Sequence, residues 1–141
     1  MIKDYIKQIC EILNIEFPKQ ESDKSYLIKI DDDLIFKIFD LEDKVYLHSD
    51  IDLVPTEKKE EIYSYLMRAN LLGQGTGETK IGIDKDEKNL TLSYELSYYS
   101  NFNDFKEKVE DFVNYIKYWK EEIIKYKRLI EQGIIKWNLL L

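Results

Sequence analysis

Nine apolar residues in the last third of the chain recur at spacings that alternate between three and four. This spacing puts their side chains on one stripe of an α-helix, and here it continues over four heptads. The pattern therefore predicts one long helix with an apolar seam to bury, with Asn101 as its N-cap and Gly133 at its end. A helix laid across a sheet fits better than a coiled coil, because so many seam positions are aromatic. The seam consists of Phe102, Phe105, Val109, Phe112, Ile116, Trp119, Ile123, Tyr126 and Ile130.

The remaining apolar patterns predict two further helices and five strands. Residues 2–13 are apolar at helical spacing. A second helix is predicted after Pro55, with Thr56 as its N-cap and Gly73 just beyond its end. Alternating or continuous apolar runs predict strands at 26–30, 34–41, 44–53, 79–83 and 90–96.

These elements follow the order α-β-β-β-α-β-β-α. We expect an α+β fold in which helices pack an antiparallel sheet, built as a single domain over residues 1–141. Residues 134–141 form an apolar C-terminal extension, which we expect to dock on this chain or on a second copy.

Composition indicates a soluble, cytoplasmic protein. The chain is 44% hydrophobic, which is ample for a core. Its single cysteine, Cys10, excludes an internal disulfide and fits a reducing compartment. The first thirteen residues carry too many charges for a signal peptide, and no run approaches the ~20 apolar residues of a membrane helix. We therefore expect no membrane insertion.

The net charge of −7 is unevenly distributed. Residues 31–57 contain nine acidic side chains against Lys37 and Lys44, whereas the chain from Ser100 onward is nearly balanced. Nucleic acid is excluded as a partner, because phosphate binding requires clustered basic residues.

No pattern in the chain predicts catalysis or ligand binding at a metal or phosphate site. The glycine-rich residues 73–77 follow a helix and precede a strand, which is the reverse of a phosphate-binding loop. The turn after Asp84 lacks the glycine of a calcium loop, and His48 lies among solvated strand residues. We therefore expect no metal, no cofactor and no enzymatic activity.

The second predicted strand is apolar on both faces, so each face needs cover. Two interpretations are open for the face that carries Ile35, Phe39 and Leu41, which we call the second face. Either the first helix covers it, or it is an exposed patch that binds a partner. One face carries Leu34, Phe36 and Ile38, and the other carries Ile35, Phe39 and Leu41.

Four segments resemble one known family. Their order is similar to that in class I type III secretion chaperones, the Tir chaperone family. The four segments are the end of the second helix, the glycine-rich loop with the strand after it, the next strand, and the helix that carries the seam. The resemblance extends over nearly the whole chain and is carried by residues 66–72, 81–84, 90–92 and 102–119.

This resemblance implies a cytosolic homodimer that binds the N-terminal segment of a secreted effector protein. The segment is held in extended form, without ATP, so that the effector stays competent for export. Its side chains fill apolar grooves, and it often adds a strand to a sheet edge. By position in the predicted fold, the candidate groove consists of Ile6, Ile9, Leu13, Ile35 and Phe39.

A second apolar stripe on the second helix predicts the dimer interface. One sheet cannot cover this stripe together with the inner stripe of Ile62, Leu66 and Ala69, so we expect a two-fold interface built from this helix and the following strand. Its candidate residues are Tyr63, Met67, Leu71, Ile81 and Ile83.

Two other functions stay open. A small acidic inhibitor, such as an immunity protein or antitoxin, would bind one folded basic partner through the acidic residues 31–57. An enzyme with a diffuse carboxylate site is the third alternative.

Overall fold

The computed structural model describes residues 2–73, 75–97 and 101–133. It confirms the predicted order of elements and the α+β class. Within these residues, no helix is both long and apolar enough to cross a membrane. The elements are α1 (Ile2–Leu13), β1 (Ser25–Asp31), β2 (Leu34–Asp40), β3 (Lys44–Leu53), α2 (Lys59–Asn70), a 3₁₀ turn (Leu71–Gly73), β4 (Lys80–Ile83), β5 (Asn89–Ser97) and α3 (Phe102–Glu131).

The five strands form an open antiparallel sheet in the order β1-β2-β3-β5-β4, so β1 and β4 are its edges. β1 pairs with β2 in regular register from Ser25 opposite Phe39 to Lys29 opposite Ile35, and the register shifts before Asp31.

The chain divides into two compact units. The first contains Met1–Ser49 and Ser93–Asn114, and the second contains Asp50–Leu92 and Tyr115–Leu141. The expected single domain stays a prediction, and the apolar extension 134–141 lies outside the described residues.

In the first unit, helices pack against one face of the sheet. Phe36 of β2 lies edge-on against Phe112 of α3, with ring centroids 5.8 Å apart. Tyr5 of α1 contacts Phe102 and Phe105 of α3, with centroid distances of 5.6 and 5.7 Å. The first helix therefore packs beside α3.

Within the described ranges, no helix gives such cover to the opposite face of β1 and β2. Leu27 of β1 is 42% exposed and Ile35 of β2 is 37% exposed, whereas Phe36 is buried. The interpretation in which the first helix covers this second face is therefore wrong, because that helix packs against α3 instead.

In the second unit, aromatic side chains of α3 hold both α2 and the glycine-rich loop. The Tyr65 ring on α2 stacks on Tyr126 of α3 at a centroid distance of 4.4 Å. The indole N–H of Trp119 donates to the carbonyl of Gly75 at 3.1 Å. Contact with α3 thus fixes the end of α2 and the loop that follows it.

Two of the four predicted helix boundary residues are confirmed. The N–H of Asp104 donates to the side chain of Asn101 at 2.9 Å, so Asn101 is the N-cap of α3. Gly133 follows the end of α3 and has positive φ. Gly73 also has positive φ, but it was predicted as the C′ residue of the second helix and does not have that position, because α2 ends at Asn70 with Leu71 as its C-cap and Gly73 closes the 3₁₀ turn. The predicted N-cap Thr56 is wrong, because α2 begins at Lys59 after a left-handed residue with no side-chain cap.

Gly77 should be harder to replace than Gly73. Both have positive φ, where any other residue costs ~1–2 kcal/mol. A Cβ at position 77 would also collide with the Tyr115 side chain, whereas a Cβ at position 73 meets open space. We expect Gly77→Ala to lower the free energy of unfolding by about 1–3 kcal/mol more than Gly73→Ala, measured by urea denaturation.

The double variant Gly77→Ala/Tyr115→Phe tests the cause. Removing the Tyr115 hydroxyl should recover part of the additional loss in the free energy of unfolding. The recovered part is the coupling energy between the two positions. Equal losses for the two glycine variants would show that Tyr115 moves aside without cost.

Candidate functional site

An apolar groove of about 260 Å³ lies between α1 and α3 in the first unit. We call it the α1–α3 groove. One side comes from α1, the other from α3, and one residue comes from β1. Its lining residues are Ile9, Ile12, Leu13, Ile30, Lys106, Val109, Glu110, Val113 and Asn114.

The groove combines a buried floor with exposed apolar side chains. Ile9 is only 4% exposed and Val109 is equally buried, so these two belong to the core. Ile12, one turn further along α1, is 56% exposed. At the rim, Lys106 and Glu110 pair at 3.8 Å and neutralise each other. An apolar side chain would therefore bury surface here without meeting an unpaired charge.

The backbone of β1 alternates between facing β2 and facing outward. The N–H of Asp40 donates to the carbonyl of Lys24 at 3.0 Å, so the even-numbered residues face β2. Ser25 faces outward, but its backbone groups are already bonded. Its N–H donates to the carboxylate of Asp23, and its carbonyl accepts from the N–H of Glu21.

The next two outward residues are Leu27 and Lys29, and their outward backbone groups are open to a further strand. Among the described residues, the backbone N–H and C=O groups of these two have no bond beyond the sheet ladder. We call this stretch the β1 edge. Because Ile30 in the same strand lines the groove, the β1 edge and the α1–α3 groove border each other.

The structure brings together two of the five predicted groove residues. Ile9 and Leu13 both line the groove. Ile6 is completely buried and does not line the groove, and Ile35 and Phe39 lie on the opposite, half-exposed face of β2. Effector contact by these five residues stays a prediction.

Sequence reasoning missed four of the six apolar groove residues. Ile12 was visible as part of the apolar stripe of α1, and Val109 as part of the seam. The sequence did not show that these two residues line the same groove, because that depends on which helix packs beside which. The missed apolar lining residues are Ile12, Ile30, Val109 and Val113.

The predicted dimer residues differ widely in exposure. Met67 is 73% exposed, and Leu71 and Ile83 are also exposed. Ile81 is buried within the unit. Tyr63 is half-buried, and its hydroxyl lies away from solvent without a hydrogen-bond partner in the described part of the chain. The exposed residues are all apolar, and their use in a dimer stays a prediction.

The acidic turn after β4 is a structural turn. The Asp84 carboxylate accepts from the side-chain amide of Asn89 at 2.8 Å and from the N–H groups of Lys88 and Asn89. These bonds, the Asn89 side chain first, hold the pKa of Asp84 below its usual value. Among the described residues, no three His, Cys, Asp or Glu side chains are grouped to hold a metal.

The chain thus combines an open antiparallel sheet, a bordering apolar groove and an open strand edge. These are features of a protein that binds a polypeptide segment. The chain belongs to the Tir chaperone protein (CesT) family, whose family model matches residues 4–120. The predicted resemblance is confirmed. This is a family of chaperones rather than enzymes, and the chain is a type III secretion chaperone.

Solved structures share the fold at low sequence identity. A chain of the ExsC–ExsE complex is 11% identical with a TM-score of 0.71, covering 85% of this chain and 91% of that chain. A chain of the HopA1–SchA chaperone–effector complex is 9% identical with a TM-score of 0.65, covering 85% and 93%. YbjN from E. coli is 13% identical with a TM-score of 0.66, covering 89% and 92%.

YbjN is not described as a chaperone. At sequence identities of 9–13%, similarity to these solved structures shows the fold alone. No curated protein matches the sequence. The family assignment therefore rests on the match over residues 4–120.

The Asp84 turn should make stability depend on acid pH. The pKa of Asp84 is lower in the folded chain than in the unfolded one, so its carboxylate contributes stability above about pH 4. That contribution is lost as the pH falls through the folded pKa. Asp84→Asn should lower Tm near neutral pH, and the difference from the native chain should vanish in acid.

Asp86→Asn is the matched control, because Asp86 lies in the same turn and is exposed. It should leave Tm unchanged at both pH values. An equal effect of the two substitutions would show that net charge, rather than the turn bonds, sets the acid dependence.

Proposed function

We propose that this chaperone binds the N-terminal segment of its effector as an extended strand along the β1 edge. Side chains of the segment then enter the α1–α3 groove. The observation that carries the proposal is the open backbone of Leu27 and Lys29 beside an apolar groove of about 260 Å³. Family membership supports an effector as the partner, and the geometry supports this mode of binding.

The backbone supplies a sequence-independent part of the affinity. A segment beside β1 pairs with four open groups, the N–H and C=O of Leu27 and of Lys29. Each bond contributes about 0.5–1.5 kcal/mol net. Since these bonds use only main-chain atoms, many sequences satisfy them.

Side chains supply the specificity. An added strand presents alternate side chains to the two faces of the sheet. One set faces the groove beside Ile30, and the other lies next to exposed Leu27, with Ile35 one strand further on. Full burial of each aliphatic side chain contributes about 1.5–3 kcal/mol. This arrangement gives predicted residues on α1 and on the half-exposed face of β2 a place in one binding site.

Binding of this kind needs no ATP. The effector segment loses conformational entropy only when it binds, and the rest of the effector stays free of the chaperone surface. The bound segment is therefore shielded from aggregation and remains extended for export. A cytoplasmic location is part of the proposal, because effectors are loaded before export.

We further propose a two-fold homodimer through α2 and β4. Met67, Leu71 and Ile83 form an exposed apolar surface in the second unit, and two copies of it would cover each other.

Blocking the β1 edge should abolish effector binding without unfolding the chain. Lys29→Pro removes an outward-facing N–H and leaves the ladder with β2 intact, because proline is tolerated on edge strands. We expect at least about a tenfold loss of affinity for the effector N-terminal segment, measured by calorimetry.

Two further variants make this test specific. Lys29→Ala keeps the N–H and should bind nearly as well as the native chain. Ile28→Pro removes a bond to β2 and should lower Tm. Full binding by Lys29→Pro would place the effector strand elsewhere.

Ile12→Asp tests the groove separately from the core. Ile12 is 56% exposed in the free chain, so a carboxylate there stays hydrated, but a bound apolar side chain would bury it. We expect lost effector binding with an unchanged thermal melt. Ile124→Asp is the control, since it is 51% exposed on another helix face.

Ile9→Asp should behave differently, because Ile9 is part of the buried floor. An unpaired carboxylate there costs several kcal/mol, a large share of the ~5–15 kcal/mol that stabilises a domain. Unfolding of Ile9→Asp together with folded, binding-deficient Ile12→Asp fits the proposed groove. Intact binding by Ile12→Asp contradicts it.

Met67→Glu should dissociate the proposed dimer. The residue is 73% exposed in one copy, so the substitution leaves the monomer stable but buries a charge in the interface. Light scattering should give a mass near 17.0 kDa for the variant and twice that for the native chain. Ile124→Glu serves as the control and should keep the native mass. A native mass already near 17.0 kDa overturns the dimer.

The salt dependence of the complex separates this proposal from an acidic inhibitor. Apolar burial and main-chain bonds are weakly screened, so affinity should change little between low and moderate salt. A complex that dissociates over this range favours charge pairing by the acidic residues 31–57 with a basic partner.

A further inference from the structure

The open stretch of the β1 edge stops at Ser25. Lys24 faces β2, because its carbonyl accepts from the N–H of Asp40 at 3.0 Å, so Ser25 faces outward by alternation. Leu27 and Lys29 are the next outward residues along the strand. An added strand that pairs with these two residues would reach Ser25 as its third partner.

Both backbone groups of Ser25 are bonded within the segment that precedes β1. The N–H donates to the Asp23 carboxylate at 3.1 Å. The carbonyl accepts from the N–H of Glu21 at 2.9 Å, and the N–H of Lys24 donates to the Glu21 carbonyl at 3.0 Å. The chain thus turns back on itself just before the strand, and its bonds use the two groups of Ser25 that a further strand would need.

Side chains hold the Asp23 carboxylate beside Ser25. The buried Ser25 hydroxyl donates to this carboxylate and lies 3.1 Å from an oxygen of Glu21. Lys37 of β2 pairs with Glu21 at 3.1 Å and lies 3.9 Å from Asp23. The hydrogen bond from the Ser25 hydroxyl is the first cause that holds the pKa of Asp23 below its usual value, so the acceptor is ionised at neutral pH. We call Glu21, Asp23 and Ser25, joined by these bonds, the Ser25 clamp.

The other end of the open stretch is limited by the hairpin to β2. The register between the two strands shifts between Lys29 and Asp31, and β2 begins at Leu34 after a short turn. The edge therefore offers a further strand two successive outward residues, Leu27 and Lys29, with the Ser25 clamp on one side and the turn on the other.

We propose that the Ser25 clamp limits the strand that an effector adds to β1 to pairing at Leu27 and Lys29. With Ser25 closed, the third set of main-chain bonds does not form. Each such bond would tighten binding of any extended chain about two- to tenfold, whatever its sequence. The clamp therefore keeps the sequence-independent part of the affinity small, so that side chains in the α1–α3 groove decide which segments bind.

The inference rests on the proposed function, because it takes the β1 edge as the place where the effector strand binds. It adds that the chaperone sets the length of the paired stretch. Asp23 is a positioning residue in this account, since it acts by bonding the N–H of Ser25 rather than by touching the effector.

The test uses two synthetic peptides of alternating valine and threonine, four and eight residues long, acetylated and amidated at their ends. Both residue types favour strands, and neither carries a charge. Asp23→Ala opens the Ser25 N–H and leaves the turn bond to its carbonyl in place. Because Asp23 is exposed, the variant should keep the native Tm.

We expect Asp23→Ala to bind the eight-residue peptide about two- to tenfold more tightly than the native chain does, measured by NMR titration of backbone amides. The four-residue peptide should gain nothing, because it is too short to pair with Ser25, Leu27 and Lys29 together. In the complex with the longer peptide, the Ser25 amide of the variant should become protected from hydrogen exchange.

Asp23→Asn is the matched control, because its carboxamide oxygen still accepts from the Ser25 N–H while the charge is removed. It should bind both peptides as the native chain does. Glu42→Ala, at an exposed acidic residue between β2 and β3, controls for net charge and should also match the native chain. Equal gains for Asp23→Ala and Asp23→Asn would show a charge effect and overturn the proposal.

Failure of the clamp is distinct from failure of the binding mode. Unchanged affinity of Asp23→Ala for the longer peptide, with Leu27 and Lys29 amides protected in the complex, overturns the clamp and leaves binding at the β1 edge intact. Peptides that leave the Leu27 and Lys29 amides of the native chain unprotected contradict binding at the β1 edge, and the clamp with it.

Discussion

Burial of the α3 seam is the interaction on which both units depend. Seven of its nine residues, from Phe105 to Tyr126, are buried. The first half of the helix packs on Phe36 of β2, and the second half packs on Tyr65 of α2. At about 1.5–3 kcal/mol for each large apolar side chain, the seam outweighs every surface ion pair in the chain. The groove and the exposed face of α2 are apolar surfaces that stay accessible to solvent after the seam has been buried.

The sequence was sufficient for what depends on local pattern. Spacings of three and four located α3, alternation located the strands, and Asn101 and Gly133 marked the two ends of α3. The prediction of Thr56 as the N-cap of α2 was wrong, because α2 begins after Lys58, which has a left-handed backbone conformation. A single lysine in the sequence does not indicate that conformation.

What depends on contacts between distant residues was not predictable. Ile12 and Val113 are a hundred residues apart, and each appears in the sequence as an ordinary member of an apolar stripe. Their facing each other across a groove follows from α1 packing beside α3, which no periodicity encodes. The same reason applies to Asn70, whose side chain bonds both backbone groups of Ile81, eleven residues further along the chain.

The α1 helix combines core and groove positions within one turn. Ile9 is fixed by the packing beneath it, whereas Ile12 has few contacts within its own chain. Substitution at Ile12 therefore changes what the groove accepts while leaving the fold almost untouched. A lineage that acquires a new exported protein can adapt its chaperone through such half-exposed positions, one at a time, without passing through an unstable intermediate. Rapid divergence at the rim and slow change at the floor are the evolutionary record that this arrangement would leave.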